Sequence, residues 1–228
     1  MSTNGTGKQN LDGLKLIVFD MDGTLYNQKL LRLFMLLELF FHYLIRPHKS
    51  HEINILKHFR NEREKKSFMA NENTQIAHNQ YIWCQDKVKC PIWEIKDVVR
   101  KWIYKKPLKY LPLCMYKSVK PLLSVLKTKN IKSAIFSDYR AEEKVHSLGL
   151  SIDYVFSSEQ EEIGTLKPSP KGLDYISNKL GIDKNHMLYI GDREDKDGAC
   201  AYHAGVAYLD VGGGKTNLVF DKLISDLG

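Results

Sequence analysis

Five short, mainly apolar runs recur along the chain, each of a length typical of a β-strand. Apolar runs without the alternation of a half-exposed strand indicate strands buried on both faces, as in a parallel sheet. The predicted strands are residues 15–20, 132–137, 153–158, 187–192 and 206–211. Several of them end in an acidic or hydroxyl residue, which makes their carboxyl ends the first place to look for chemistry.

Helical patterns fill the gaps between the last four runs. They cover residues 141–147, 169–180 and 197–204. Each is followed within a few residues by a glycine, a signal for helix termination. Strands that alternate with helices predict an α/β fold, a Rossmann-like parallel sheet with helices on both faces. Ligands of such sheets bind beyond the carboxyl ends of the strands, where three runs place Asp20, Ser137 and Asp192.

A long segment after the first strand has a different pattern. Residues 27–113 show helical spacing, for example behind Pro91, and no clear strand run. The core pattern resumes at residues 118–129. We therefore predict an α/β core formed by residues 1–26 and 114–228, with residues 27–113 inserted as an all-helical cap domain.

The most apolar part of this insertion is residues 30–45, from Leu30 to Ile45. It is shorter than the roughly 20 residues that cross a membrane, and it contains Arg32, Glu38 and His42, so we predict no transmembrane segment. Glu38 and His42 lie four residues apart and share one helical face. The pattern predicts a helix that packs within the cap, with a lid, a dimer or partner face, or a membrane-docking surface as alternatives.

Composition and charge narrow the possible partners. The chain is 43% hydrophobic and 27% charged, which is ordinary for a soluble globular protein. Its net charge of +7 favours anionic ligands, but the basic residues are scattered. Residues 60–66 form a short basic run that acidic residues interrupt, and we interpret it as a solvated surface. We therefore expect no nucleic-acid partner.

The cysteines and the start of the chain indicate a compartment. Four cysteines show no CxxC spacing, and the first ten residues lack the apolar segment of a secretory signal. Both observations predict a protein of the reducing cytoplasm.

The strongest chemical motif is DMDGT, residues 20–24. Asp20 and Asp22 stand two residues apart at a strand end, and Gly23 lets the backbone turn. Both carboxylates could reach one phosphoryl group, one ionised for attack and the other holding a proton, with a bound cation separating their proton affinities. A calcium loop is the main alternative, but an EF-hand places its glycine sixth, whereas Gly23 is fourth.

DMDGT at a strand end, followed in order by Ser137, Lys167 and the acidic run GDREDKD, resembles the haloacid-dehalogenase-like superfamily. The resemblance implies that Asp20 is a nucleophile that forms an aspartyl-phosphate. It implies that Asp22 is the acid/base that protonates the leaving group and then activates water. Dehalogenases lack a carboxylate at the position of Asp22, so the chain resembles the phosphate-transfer branch.

The same resemblance implies the phosphate-binding groups. Ser137 would hydrogen-bond the phosphoryl oxygens, together with the backbone N–H of Asp138. Lys167 would offset the negative charge around the nucleophile and the phosphate.

The cofactor implied by the resemblance is Mg²⁺, which prefers oxygen ligands. Asp20, the backbone carbonyl of Asp22, Asp192 and the second acidic position, Asp197, are the implied ligands. The two acidic residues between Asp192 and Asp197 are predicted to be solvated.

Motif spacing places the cap. Asp20 and Ser137 lie far apart in the chain, whereas Ser137 and Lys167 are close, so the insertion resembles the helical type-one cap that closes over the site and selects small substrates. For residues 30–45 this leaves two hypotheses. They line a pocket for an apolar or aromatic part of the substrate, or they only pack within the cap, which the sequence alone favours.

The sequence therefore predicts a magnesium-dependent phosphatase that hydrolyses a small-molecule phosphate ester. A phosphomutase of the same superfamily uses the same nucleophile and is the nearest alternative. A non-catalytic binding protein that retains the fold is the other.

Overall fold

A parallel five-stranded sheet forms the centre of the protein. The computed structural model describes residues 13–69 and 75–228. The strands are β1 (Leu16–Phe19), β2 (Lys132–Ser137), β3 (Tyr154–Ser157), β4 (Met187–Gly191) and β5 (Ala207–Asp210), in the order β3-β2-β1-β4-β5. All neighbouring pairs are parallel. Each apolar run predicted as a strand contains one.

Strand β1 lies in the middle of the sheet and is buried throughout. Leu16 is in register with Lys132 of β2 on one side and with Met187 of β4 on the other. Ile17 and Phe19 belong to one apolar cluster, whereas Leu16 and Val18 belong to a second. Alternate residues of a strand point to opposite faces, so the sheet has an apolar core on each side.

Helices cover both faces of the sheet. The core helices are α6 (Val119–Thr128), α7 (Glu142–Leu148), α8 (Lys171–Leu180), α9 (Ala199–Ala204) and α10 (Thr216–Leu227). Buried residues of α6, α7 and α10 join the first cluster, and those of α8 and α9 join the second. The predicted α/β core is confirmed.

Two helical segments differ from the sequence prediction. The predicted helix 197–204 is α9 preceded by a π-helical turn, Glu194–Gly198. The sequence prediction also lacks α10, which begins at Thr216, after the glycine-rich residues 212–214 and Lys215. The apolar residues of α10 do recur at helical spacing, so the signal is present in the sequence.

The insertion between β1 and β2 is helical, as predicted. Its α-helices are α1 (Gln28–Ile45), α2 (His51–Ser67), α3 (Ile76–Val88), α4 (Ile92–Val99) and α5 (Leu111–Cys114), joined by a 3-10 turn (Pro47–Lys49), a π-helical segment (Arg100–Lys105) and a second 3-10 segment (Lys106–Tyr110). Within 27–69 and 75–113 the structure contains no named strand. The protein thus consists of an α/β core and a helical cap, whereas the domain boundaries at 27 and 113 stay a prediction.

The chain passes between core and cap at two adjacent points. Asn27 N–H donates to the Cys114 carbonyl at 2.9 Å, and Tyr116 N–H donates to the Leu25 carbonyl at 3.1 Å. Between these bonds Tyr26 forms an antiparallel bridge with Met115. The pairing places the start of α1 next to the carboxyl end of β1.

Helix α1 has one buried face and one exposed apolar face. Leu31, Met35 and Tyr43 are buried, and Glu38 accepts hydrogen bonds from Lys106 Nζ at 2.6 Å and Tyr110 Oη at 2.7 Å. The exposed face carries Leu33, Leu36, Leu37, Phe40, Phe41, Leu44 and Ile45. No helix in the described part of the chain is long and apolar enough to cross a membrane.

The far end of the cap is organised around one buried carboxylate. Glu52 accepts hydrogen bonds from Tyr43 Oη at 3.0 Å, Trp102 Nε1 at 3.0 Å and Lys101 Nζ at 3.1 Å. Burial alone would raise the pKa of Glu52, but these donors outweigh it and lower that pKa below its usual value. Glu52 therefore ties α1, α2 and the π-helical segment together as an ionised group.

We predict that Glu52→Ala lowers the free energy of unfolding by about 2–3 kcal/mol, because it leaves buried donors without an acceptor. The matched control is Glu94→Ala, which removes the partner of the exposed His51 and should cost less than about 1 kcal/mol. Chemical denaturation at neutral pH measures both. The cost at Glu52 should shrink in acid, where the wild-type carboxylate takes up a proton; a cost equal to that of the control would contradict this account.

Candidate active site

The residues predicted to carry chemistry meet at the carboxyl ends of three neighbouring strands. Asp20 follows β1, Ser137 ends β2 and Asp192 follows β4. The Asp20 backbone N–H donates to the Ile190 carbonyl at 2.8 Å, which continues the sheet ladder by one residue. The parallel sheet therefore fixes the position of Asp20 through its backbone.

Lys167 lies at the centre of this group. Its Nζ is 2.5 Å from Asp20 Oδ1, 2.6 Å from Asp197 Oδ1 and 3.0 Å from Tyr189 Oη. Burial alone would lower the pKa of this ammonium, but Asp197 and Asp20 outweigh it and raise that pKa well above its usual value. Lys167 is thus a permanent positive charge beside the Asp20 carboxyl.

The carboxyl of Asp20 is held in a crowded, buried setting. Desolvation raises its pKa well above the usual value; Lys167 opposes this rise, while Asp197 and Asp192 add to it. Asp20 and Asp197 thus contact one buried ammonium, and Asp192 lies close to both, so carboxyl groups outnumber the ammonium. A further cation would stabilise the ionised form of Asp20.

The acidic residues can hold such a cation. One oxygen from each of Asp20, Asp192 and Asp197 lies within 4.8 Å of the others. Asp192 Oδ1 is buried and accepts no hydrogen bond from the described residues. Burial, and then Asp197, raise the pKa of Asp192 to about 6. An all-oxygen donor set with an unsatisfied buried carboxylate oxygen fits Mg²⁺.

The backbone at Gly23 makes room for Asp192. Gly23 has φ +105°, and a Cβ atom there would lie 2.2 Å from Asp192 Oδ2. A larger residue would be both strained and in collision with the carboxylate. The glycine of DMDGT is therefore required by the packing of the loop after β1 against the loop after β4.

Asp22 lies outside β1, which ends at Phe19, and its side chain is partly buried. Lys144 Nζ donates to Asp22 Oδ1 at 2.6 Å and to Oδ2 at 2.8 Å, and Tyr26 Oη donates to Oδ1. One residue from core helix α7 and one from the crossing into the cap therefore fix the second carboxylate. Both were absent from the sequence prediction.

Ser137 and Asp138 form the loop that faces Asp20 from β2. Ser137 Oγ accepts from Tyr139 N–H at 3.3 Å. The Asp138 carboxylate accepts from the Lys167 backbone N–H at 3.0 Å and from Ser158 Oγ at 3.1 Å, and so positions the lysine loop. The predicted roles of Ser137 and of the Asp138 N–H in binding phosphate stay predictions.

The sequence pattern of the haloacid dehalogenase-like hydrolases matches residues 14–205. The chain belongs to this family. The resemblance drawn from DMDGT and the later motifs is thereby confirmed.

Individual relatives of the family extend this result. The chain is 31% identical over 118 residues to a glyceraldehyde 3-phosphate phosphatase of Methanopyrus kandleri; the match covers 50% of this chain and 47% of that protein, so the chain spans about half its length. A haloacid dehalogenase-like phosphatase from Thermococcus onnurineus has a TM-score of 0.62 at 17% identity, covering 93% of this chain and 99% of that one. A putative hydrolase from Bacillus subtilis, YfnB, solved with magnesium, has a TM-score of 0.61 at 15% identity, covering 86% and 87% of the two chains. At these identities the structural likenesses show the fold.

In this family member the cap also contacts the loops that follow the strands. Arg63 of α2 is buried; its Nη2 donates to the Asp138 carbonyl at 2.6 Å, and its Nη1 lies 3.8 Å from Glu159 and donates to Gln80. The interpretation of residues 60–66 as a solvated surface is therefore wrong at Arg63. The reason is visible in the sequence, because Arg63 follows Phe59 by four residues and shares its apolar face.

A second cap residue contacts the acidic loop. Glu64 accepts from Arg193 Nη2 at 2.8 Å and from Lys196 Nζ at 2.7 Å. Arg193 also binds Asp195, which is exposed, as predicted for that acidic residue. The Asp192–Asp197 loop is thus tied to α2 in the arrangement that the structure shows.

The sequence prediction omits several side chains of the site, and the sequence pattern indicates only some of them. Lys144 of α7 lies three residues after Ala141 and four before Leu148, on the same buried face. A lysine on a buried helical face indicates that its charge is paired. Tyr26 and Tyr189 carry no such signal, because their hydroxyl contacts depend on the tertiary structure.

We predict that Lys167→Met lowers the free energy of unfolding by about 3–5 kcal/mol, since it leaves buried carboxylates without their ammonium. Lys179→Met, at an exposed position of α8, is the matched control and should change stability by less than about 0.5 kcal/mol. Denaturant titration of both variants tests the difference. The double variant Lys167→Met/Asp197→Asn should regain part of the loss, and a loss no larger than that of the control would refute the central role of Lys167.

Proposed function

We propose that the protein is a magnesium-dependent phosphatase that hydrolyses a small-molecule phosphomonoester through an aspartyl-phosphate on Asp20. The observation that carries the proposal is the convergence on Asp20 of a buried lysine, two further carboxylates and a separate, fixed carboxylate at Asp22. The Methanopyrus kandleri relative, by its name, acts on a phosphate ester, which supports the same reaction class.

In the first step, an Asp20 carboxylate oxygen attacks phosphorus. The bond from phosphorus to the ester oxygen breaks, and Asp22 gives its proton to the departing alkoxide. Ser137, the Asp138 N–H and Lys167 are the proposed partners of the phosphoryl oxygens. The products of this step are the free alcohol and phosphorylated Asp20.

In the second step, Asp22, now ionised, takes a proton from water. The water oxygen bonds to phosphorus and the Asp20 oxygen leaves, which releases inorganic phosphate and restores both carboxyls. The hydrogen bonds from Lys144 and Tyr26 hold Asp22 in one orientation, which the two proton transfers require.

Asp20, Asp192 and Asp197 are the side chains that would hold Mg²⁺, with the Asp22 carbonyl as a further proposed ligand. The ion would neutralise charge on the phosphoryl oxygens and lower the repulsion between them and Asp20. The donor set of this chain fits the ion by itself, so the proposal does not depend on the magnesium bound to YfnB.

We predict that Asp20→Asn abolishes phosphate release, with a loss of at least about 10³-fold in kcat, because the amide cannot form the phosphoenzyme. The exposed Asp226→Asn should retain wild-type activity and serves as the control. Steady-state phosphate release from a panel of phosphomonoesters measures both. Product analysis distinguishes hydrolysis from isomerisation, since a phosphomutase would yield an isomeric ester with little free phosphate.

We predict that Mg²⁺ binds the resting protein and raises its thermal midpoint, since a ligand that binds only the folded state stabilises it. Asp192→Asn should weaken this binding by at least about tenfold, whereas Asp210→Asn, at the exposed end of β5, should leave it unchanged. Isothermal calorimetry and thermal unfolding with and without chelator provide the measurement. An unaltered Mg²⁺ affinity in Asp192→Asn would overturn the ligand assignment, and absence of binding would favour a non-catalytic protein.

A further inference from the structure

A cleft of about 510 Å³ opens above Asp20 and Asp22 and extends between the cap helices. Its side walls are α1 and α2, which are antiparallel: Tyr43 near the end of α1 contacts Glu52 near the start of α2. Helix α1 leaves the core at Gln28, and α2 returns to it at Glu64, which contacts Arg193. Position along either helix therefore measures distance from the catalytic carboxylates.

The outer half of the cleft is apolar. From α1 it is lined by Met35, Leu36 and Leu39, and from α2 by Ile53 and Leu56. These residues recur at helical spacing on one face of each helix. Leu39 stands eleven residues beyond Gln28, so the cleft follows α1 for about 16 Å at 1.5 Å per residue.

Several of these apolar side chains are open to solvent. Leu36 is 63% exposed and Ile53 is 47% exposed, although both line the cleft. Trp102, Ile103 and Pro107 close the third wall with further apolar surface. A small polar ester at Asp20 would leave this half of the cleft in contact with water, whereas an apolar group would cover it.

Three cations lie in the cleft on the exposed parts of the same two helices. They are Arg32 of α1 and Lys57 and Arg60 of α2. Among the described residues none of these three side chains has a hydrogen bond or ion pair, in contrast to Arg63 and Lys144, which both have ion-pair partners. We call Arg32, Lys57 and Arg60 the cationic collar. Along both helices the collar lies closer to Asp20 than the apolar residues Leu39 and Ile53 do.

Outward along the cleft, the carboxyl groups of Asp20 and Asp22 come first, then the cationic collar and then the apolar outer half. This order matches an amphiphile bound in one orientation. An anionic phosphate is attracted past the collar, and an attached apolar body is left against the outer residues. The sequence alone favoured the hypothesis that residues 30–45 only pack within the cap. The cleft supports the other hypothesis, because four apolar residues of α1, namely Leu31, Met35, Leu36 and Leu39, line it.

We propose that the substrate is an amphiphilic phosphomonoester, in which the phosphate is joined to an alkyl or aromatic body that occupies the outer half of the cleft. This inference rests on the proposed phosphatase function and specifies its substrate class. The collar of Arg32, Lys57 and Arg60 orients the ester with its phosphate toward Asp20.

The test is a series of n-alkyl phosphates from ethyl to octyl, with glycerol phosphate and glyceraldehyde 3-phosphate as polar comparators. We expect kcat/KM to rise by about threefold to fourfold for each methylene that enters the outer half, and to exceed the value for both polar esters. A flat or falling dependence on chain length would overturn the proposal.

A matched pair of variants on α1 locates the effect. Leu39→Gln places a polar group in the cleft and should reduce the ratio of kcat/KM for octyl over ethyl phosphate by about tenfold. Leu37→Gln lies outside this cleft, on the exposed face of α1, and should leave the ratio unchanged. Equal ratios in the two variants would show that the apolar body binds elsewhere.

Binding of n-alkylphosphonates to the wild-type protein with Mg²⁺ separates this inference from the proposed function. Their C–P bond is not hydrolysed by phosphomonoester chemistry, so calorimetry reports the cleft without turnover. Tighter binding with chain length, but no hydrolysis of any ester, would support the cleft assignment and refute the phosphatase. Hydrolysis of polar esters with no chain-length dependence in either assay would refute the amphiphilic substrate and retain the phosphatase.

Discussion

The buried ammonium of Lys167 is the interaction on which the rest of the site depends. It joins the residue after β1, through Asp20, to the loop after β4, through Asp197, and its own backbone is fixed by Asp138 beyond β2. Removing the charge would leave buried carboxylates repelling one another at the centre of the sheet edge. The same charge opposes the rise in the pKa of Asp20 that burial causes, so one side chain acts on both the packing of the site and the ionisation of Asp20.

The parts of the structure that could be predicted from the sequence are those set by local pattern. The strands can be predicted because burial on both faces demands continuous apolar runs. The position of Asp20 can be predicted because it ends one of these runs. The position of the cap followed from the distance along the chain between Asp20 and Ser137. The contacts of Tyr26 with Asp22 and of Tyr189 with Lys167 could not be predicted, since they join residues through the folded structure and leave no periodic trace.

Helix α1 shows that an apolar pattern does not identify what each apolar residue contacts. Its apolar residues are compatible with packing, with a cleft wall or with an exposed face, and the structure uses them for all three. Tyr43 packs, Met35 faces the cleft, and Phe40 is exposed. Periodicity identifies which residues share a face, but the neighbours of each face are set by tertiary structure. Arg63 is the corresponding case on α2, where a basic run contains one residue that is buried.

The central position of β1 has a consequence for how the chain reaches this structure. β1 is the first strand in the described part of the chain, yet its two partners begin at Lys132, after the entire cap, and at Met187, after β3 as well. Its four buried residues therefore have no neighbouring strand to pair with while the intervening chain is synthesised. Pairings between residues so distant in sequence form slowly, because a large loop must close before any ladder bond is made. β1, which precedes Asp20, therefore has to wait for both partner strands, and an unpaired apolar strand favours aggregation during synthesis. The cap helices are the next described elements to emerge after it.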